Sequence, residues 1–150
     1  MNSHEYTACF EQGPIRPPSE AGSLLVRVTR NCPWNRCAFC RTYQGERFSL
    51  REVSQIREEI GVMAQMAEKV GTLAEGGDEG RIPADWDWGC FRAVAAWLRG
   101  GGESVFLQDA DSLSLKTDRL AEVIALIRAT FPSVTRVTTY ARAKTASRKT

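Results

Sequence analysis

The sequence predicts an α/β fold assembled from parallel β/α units. Three observations carry that expectation. Three short apolar, β-branched runs, LLVRVTR (24–30), SVFLQD (104–109) and VTRVTTY (134–140), have the composition of buried strands. Between them, apolar residues recur every three or four positions, the period of one helix face. The resulting order is strand, helix pair, strand, helix, strand, and its long connections suit parallel pairing, which a tight turn cannot provide.

The elements follow in chain order. Residues 1–23 are polar, hold Gly13, Pro14, Pro17, Pro18 and Gly22, and show no period, so they read as an irregular lead-in. The first strand, 24–30, ends directly at a cysteine-rich loop. In SLREVSQIREEIGVMAQMAEKVG, the residues Leu50, Val53, Ile56, Ile60, Met63, Met66 and Val70 mark one face of a long helix. Ser49 and Glu52 fit a capping box at its start, and Gly71 fits its stop. GGDEGRIP (76–83) reads as a flexible loop. DWDWGCFRAVAAWLRGGG repeats the helical period through Trp86, Phe91, Val94 and Leu98 until Gly100, Gly101 and Gly102 end it. Trp86, Trp88 and Trp97 read as core or interface residues.

A third helix is expected over 117–131, with Leu120, Val123, Ile124, Ile127 and Phe131 inward and Pro132 just beyond. After the last strand, ARAKTASRKT contains no acid, and its end, 145–150, reads as a basic solvated tail. Asp109 and Asp111 sit where they can order a turn or cap the following helix.

Composition narrows the function classes. The chain has 150 residues, 43% hydrophobic and 25% charged, which is enough apolar material for one soluble core. A net charge of +2 and a pI near 8.3 do not indicate nucleic acid or membrane as a partner. Neither a signal peptide nor an apolar span is expected, so the predicted location is the cytoplasm, where thiols stay reduced. His4 is the one histidine, which sets aside Ser-His-Asp and Cys-His catalysis.

The chemistry concentrates in TRNCPWNRCAFCRTYQGERFS (29–49), which holds Cys32, Cys37 and Cys40 in a C-x4-C-x2-C spacing. Three thiolates on one short loop suit an iron–sulfur cluster or zinc. On a four-iron cluster they leave one iron without a protein ligand.

The segment TRNCPWNRCAFCRTY, in which Phe39 precedes the last cysteine, resembles the radical S-adenosylmethionine (SAM) enzymes. VFLQDADSL and RVTTYARAKT are similar to second- and third-strand segments of that superfamily. The likeness spans residues 24–144 and implies about half of a partial (β/α)6 TIM-like barrel. It implies a [4Fe-4S] cluster on Cys32, Cys37 and Cys40, with SAM chelating the remaining iron. An electron from an external donor such as a flavodoxin or ferredoxin would then cleave SAM to methionine and a 5′-deoxyadenosyl radical, which abstracts hydrogen from a substrate.

By the same resemblance, Phe39 would pack beside the cluster with its backbone near the adenine. Gln108 or Asp109 would accept a hydrogen bond from the SAM amino group, and Arg142 would pair with the SAM carboxylate. The family spacing is usually C-x3-C-x2-C, so the extra residue here implies a bulge between Pro33 and Arg36. GGGE (100–103) precedes its strand, whereas the family's glycine-rich turn follows it. About three β/α units are visible, against about six in family barrels.

Two other readings remain open. C-x4-C-x2-C with a distant cysteine is also the spacing of plant-type [2Fe-2S] electron carriers, with Cys90 as fourth ligand. A structural zinc module would take Cys9, Cys90 or His4 as its fourth ligand. Otherwise Cys9 is a loop thiol and Cys90 a small buried hydrophobe, and Trp34 and Phe39 close the core over the loop.

Overall fold

The computed structural model describes residues 8–76 and 82–149, so His4 and most of the 76–83 loop lie outside the described residues. The first predicted strand is two strands: β1 (Leu24–Arg27) and β2 (Thr29–Arg30), which join different sheets. The break falls at Val28, whose N–H turns to the Gln108 carbonyl at 2.6 Å while its own carbonyl accepts from the Arg51 N–H. β2 pairs antiparallel with β3 (Ser49–Leu50), in register Thr29↔Leu50 and Arg30↔Ser49. That two-rung ladder closes the neck of the cysteine loop.

The first helix, α1, covers Val53–Ala74. The expected capping box is absent because Ser49 belongs to β3, and the N-cap residue Glu52 makes no side-chain cap bond. Gly71 does not stop the helix, which runs one more turn to Ala74. Helix α2 (Trp88–Arg99) starts two residues later than the periodicity suggests, since Asp87 accepts the Cys90 N–H as a true N-cap. Trp86 instead bridges Ala8 outside the helix.

Strand β4 is Ser104–Gln108, helix α3 is Thr117–Thr130 and strand β5 is Arg136–Thr139. The parallel sheet has the order β1-β4-β5, with Arg27 beside Gln108 and Leu107 beside Thr139. The fold is thus mixed α/β with a parallel sheet, as the sequence predicts. Among the described residues the sheet is open, with β1 and β5 at its edges.

Strand alternation sorts the side chains. Leu24, Val26, Val105 and Leu107 join the core formed with Ile56, Ile60, Met63 and Met66 of α1, Val94 of α2 and Val123 of α3. Each such fully buried side chain contributes about 1.5–3 kcal/mol. Leu25, Phe106 and Gln108 lie on alternate positions, and Phe106 meets Tyr140 edge to face at 5.2 Å. The lead-in covers part of this second face. The Gln108 amide accepts the Gly13 N–H at 2.7 Å and donates to the Gly13 and Ile15 carbonyls.

The approach at Gly13 leaves no room for a side chain: a Cβ there would lie 2.1 Å from Asp109 Oδ1. Gly13→Ala is expected to lift the lead-in off the sheet, costing about 1–3 kcal/mol and speeding hydrogen exchange at its amides. An unchanged melting temperature and exchange pattern would count against this docking.

The C-terminal segment is not a free tail. A last helical turn, α4 (Ala143–Ala146), is tied down through Thr145, whose hydroxyl donates to Asp111 Oδ2 at 2.6 Å. Lys149 donates to the Leu115 carbonyl.

Candidate functional site

The C-terminal ends of β1, β4 and β5 lie at one edge of the sheet, the position where α/β folds carry ligands. The cysteine loop, residues 31–48, rises there from the β2–β3 neck. Two asparagines shape it. Asn31 (φ 66) and Asn35 (φ 46) adopt the left-handed conformation that asparagine tolerates better than most residues. Asn31 donates through Nδ2 to the Arg47 carbonyl at 2.7 Å across the loop base. Asn35 lies in the stretch where the extra residue implies a bulge, and its backbone N–H donates to Cys32 Sγ at 3.4 Å. Hydrogen bonds to cysteine sulfur are among the contacts that tune iron–sulfur cluster potentials.

Cys32, Cys37 and Cys40 are free thiols of intermediate exposure, and the Cys40 N–H closes a turn onto the Cys37 carbonyl. The donor set, its exposure and the N–H directed at Cys32 fit a thiolate-bound metal or cluster. Among the described residues, however, no three His, Cys, Asp or Glu side chains are placed to hold an ion. A single centre held by all three thiols would require the loop to draw them together.

The other expected contacts divide into two kinds. Gln108 and Asp109 are occupied. The Gln108 amide holds the lead-in, and the Asp109 carboxylate, with a fully buried side chain, already has four donors. Its Oδ2 accepts Arg27 Nη2 at 2.6 Å, Arg27 Nε at 3.0 Å and the Asn31 N–H at 2.8 Å, while Oδ1 accepts the Tyr43 hydroxyl at 2.9 Å. Oδ2 is thereby saturated, and Gly13 packs closely against Oδ1, so an external amino group finds the carboxylate already engaged and covered. Burial, and then the Asp109 carboxylate, hold the Tyr43 hydroxyl well above its ordinary pKa, so Tyr43 stays a donor.

Arg142 and Phe39 remain available. Arg142 Cζ lies 4.8 Å from the centroid of the Trp34 ring, in cation–π contact, and Arg36 lies 5.5 Å from the same ring. Among the described residues the Arg142 guanidinium N–H groups have no hydrogen-bond partner, and only its backbone N–H is engaged, by Asp111. Phe39 is 90% exposed and Trp34 45%, so neither closes the core. Asp111 does not cap α3; its carboxylate accepts the Arg142 N–H and the Thr145 hydroxyl and so ties α4 to the end of β4.

The two remaining cysteines lie apart from this chemistry. Cys90 is part of the apolar core, where its sulfur accepts the Phe10 N–H at 3.4 Å and donates to the Phe10 carbonyl. Burial pushes its thiol up to about 12, so it is protonated at neutral pH. Cys9 is exposed, and partial desolvation followed by the nearby Asp87, Glu59 and Glu11 raises its pKa. Cys9 lines a cavity of about 340 Å³ with Glu11, Arg30, Arg51 and Glu59. There Arg30 hydrogen-bonds Glu11 and lowers its pKa, and Arg51 chelates Glu59 at 2.7 and 2.8 Å.

The Asp109 network had no signature in the sequence. Its members, Arg27, Asn31, Tyr43 and Asp109, come from three separate segments and share no spacing. Among the described residues, no helix is long and apolar enough to cross a membrane. Comparison with protein-family models, with curated proteins and with solved structures finds no match to the chain.

Proposed function

We propose that the chain is a radical SAM protein, or a part of one, binding a [4Fe-4S] cluster through Cys32, Cys37 and Cys40 and SAM at the C-terminal edge of the sheet. Its three parallel strands then represent about half of a (β/α)6 barrel. The observation that carries this reading is the position of the cysteine loop. Three free thiols stand beyond the end of the first strand of a parallel sheet, and an arginine from beyond the third strand stacks on the same loop. A structural zinc hairpin or a ferredoxin has no need of that parallel β/α context.

A cluster held there and reduced by an external flavodoxin or ferredoxin would supply one electron for reductive cleavage of bound SAM, and with it radical hydrogen-abstraction chemistry. The residues of the chain hold and orient. The three cysteines would hold iron, and the Asn35 N–H is directed at the Cys32 sulfur, where it would support a metal-bound ligand. Arg142, fixed by its stacking on Trp34, directs unengaged N–H donors at a carboxylate, which a guanidinium binds bidentately. Phe39 offers an exposed apolar face beside Cys40 that would shield bound SAM from water.

Anaerobic reconstitution with iron and sulfide tests the reading. About four irons per chain, and an electron paramagnetic resonance signal that SAM perturbs, are expected. About two irons, lost on Cys90→Ala, would instead identify a [2Fe-2S] carrier, and stoichiometric zinc without iron uptake would identify a structural module.

A further inference from the structure

We propose that Asp109 is the positioning residue that closes the cysteine loop and couples metal capture at Cys32, Cys37 and Cys40 to the end of β4. The inference rests on the loop being a thiolate metal site, and it assigns to Asp109 a role other than contact with SAM. One buried carboxylate meets both flanks of the loop. Oδ2 accepts the backbone N–H of Asn31, immediately before Cys32, and Oδ1 accepts the hydroxyl of Tyr43, three residues after Cys40. All three cysteines lie between these two contacts.

The carboxylate has little freedom of its own. Arg27 holds it with two N–H donors from the neighbouring strand, and the Asp109 N–H donates to Thr29 Oγ1 in β2. Gly13 packs against Oδ1 too closely to admit a methyl group. The loop ends are therefore anchored to the sheet, while residues 32–42 between them can rearrange to gather the thiols. Drawing three ligands together loses conformational entropy, and that loss is smaller when the ends of the segment are already held. Partners of this kind, one step removed from the ligands, typically change metal affinity by about 10–100-fold.

Cobalt(II) titration of the full chain, followed by thiolate-to-cobalt charge-transfer absorption, measures the effect with the metal alone. Asp109→Asn and Tyr43→Phe are each expected to weaken cobalt binding by about 10–100-fold. Val123→Ala, a core truncation in α3, serves as a control for general destabilisation and is expected to leave the affinity unchanged. Hydrogen exchange at the Asn31 amide is expected to accelerate in Asp109→Asn, whose side chain can still be packed but has lost its charge. If both variants bind cobalt within about twofold of the parent chain while the parent binds through its thiolates, the positioning role is overturned and the metal reading stands. A parent chain without thiolate–cobalt absorption overturns the metal reading and this proposal with it. Should Asp109→Asn fail to fold, the Tyr43→Phe comparison decides alone.

Discussion

Cys37→Ser is expected to abolish stable cluster assembly, with iron content after anaerobic reconstitution falling from about four per chain to near zero. Cys32→Ser and Cys40→Ser should do the same, because in the proposed site the three thiolates are the whole protein ligand set, and a serine hydroxyl is a far poorer ligand for iron. Cys9→Ser and Cys90→Ala supply the contrast. Cys9 lines a separate cavity and Cys90 is a protonated core thiol held by Phe10, so both variants should keep their iron. Iron retained by Cys37→Ser at the parental level, or lost in Cys90→Ala, would refute the ligand assignment. Because the loop is partly exposed and separate from the apolar core, the melting temperature of the unreconstituted Cys37→Ser chain should stay within a few degrees of the parent.

Arg27→Met is expected to be the most destabilising single change at the sheet edge. Arg27 is 15% exposed and supplies two of the four donors to Asp109, whose side chain is fully buried. Removing the guanidinium leaves a buried carboxylate without its counter-charge, which typically costs about 3–5 kcal/mol. For a chain of this size, thermal unfolding should shift down by on the order of 10 °C. Arg27 Nη1 also reaches Glu11 at 3.4 Å, but that partner is a third exposed and adds little. The double variant Arg27→Met/Asp109→Asn should recover much of the loss, because no buried charge then remains unpaired. If the double variant is no more stable than Arg27→Met, packing rather than the ion pair accounts for the effect.

Much of the scaffold is legible in the sequence. The period of Ile56, Ile60, Met63 and Met66 marks the buried face of α1, and the β-branched runs mark β1, β4 and β5, because apolar burial in a layered fold imposes those repeats locally. The end signals misled where long-range partners intervened. Ser49 has the spacing of a capping residue, but its backbone pairs with Arg30, and sheet pairing overrides the cap. Asp87 was the cap that tertiary structure selected for α2. The alkaline C-terminal segment reads as solvated from composition, yet Asp111 and Leu115 bind it through Thr145 and Lys149.

The C-x4-C-x2-C spacing and its place after a strand in a β/α order can be read from neighbouring residues alone. How that loop is held emerges only in the folded chain. Gln108 and Asp109 bind the lead-in and the loop base, whereas the Arg142 guanidinium lies over Trp34 with no hydrogen-bond partner among the described residues. The difference is one of range. Ligand type and strand or helix period are properties of neighbouring residues, while a buried carboxylate's partners are set by which distant backbone and side-chain donors the fold brings within hydrogen-bonding distance.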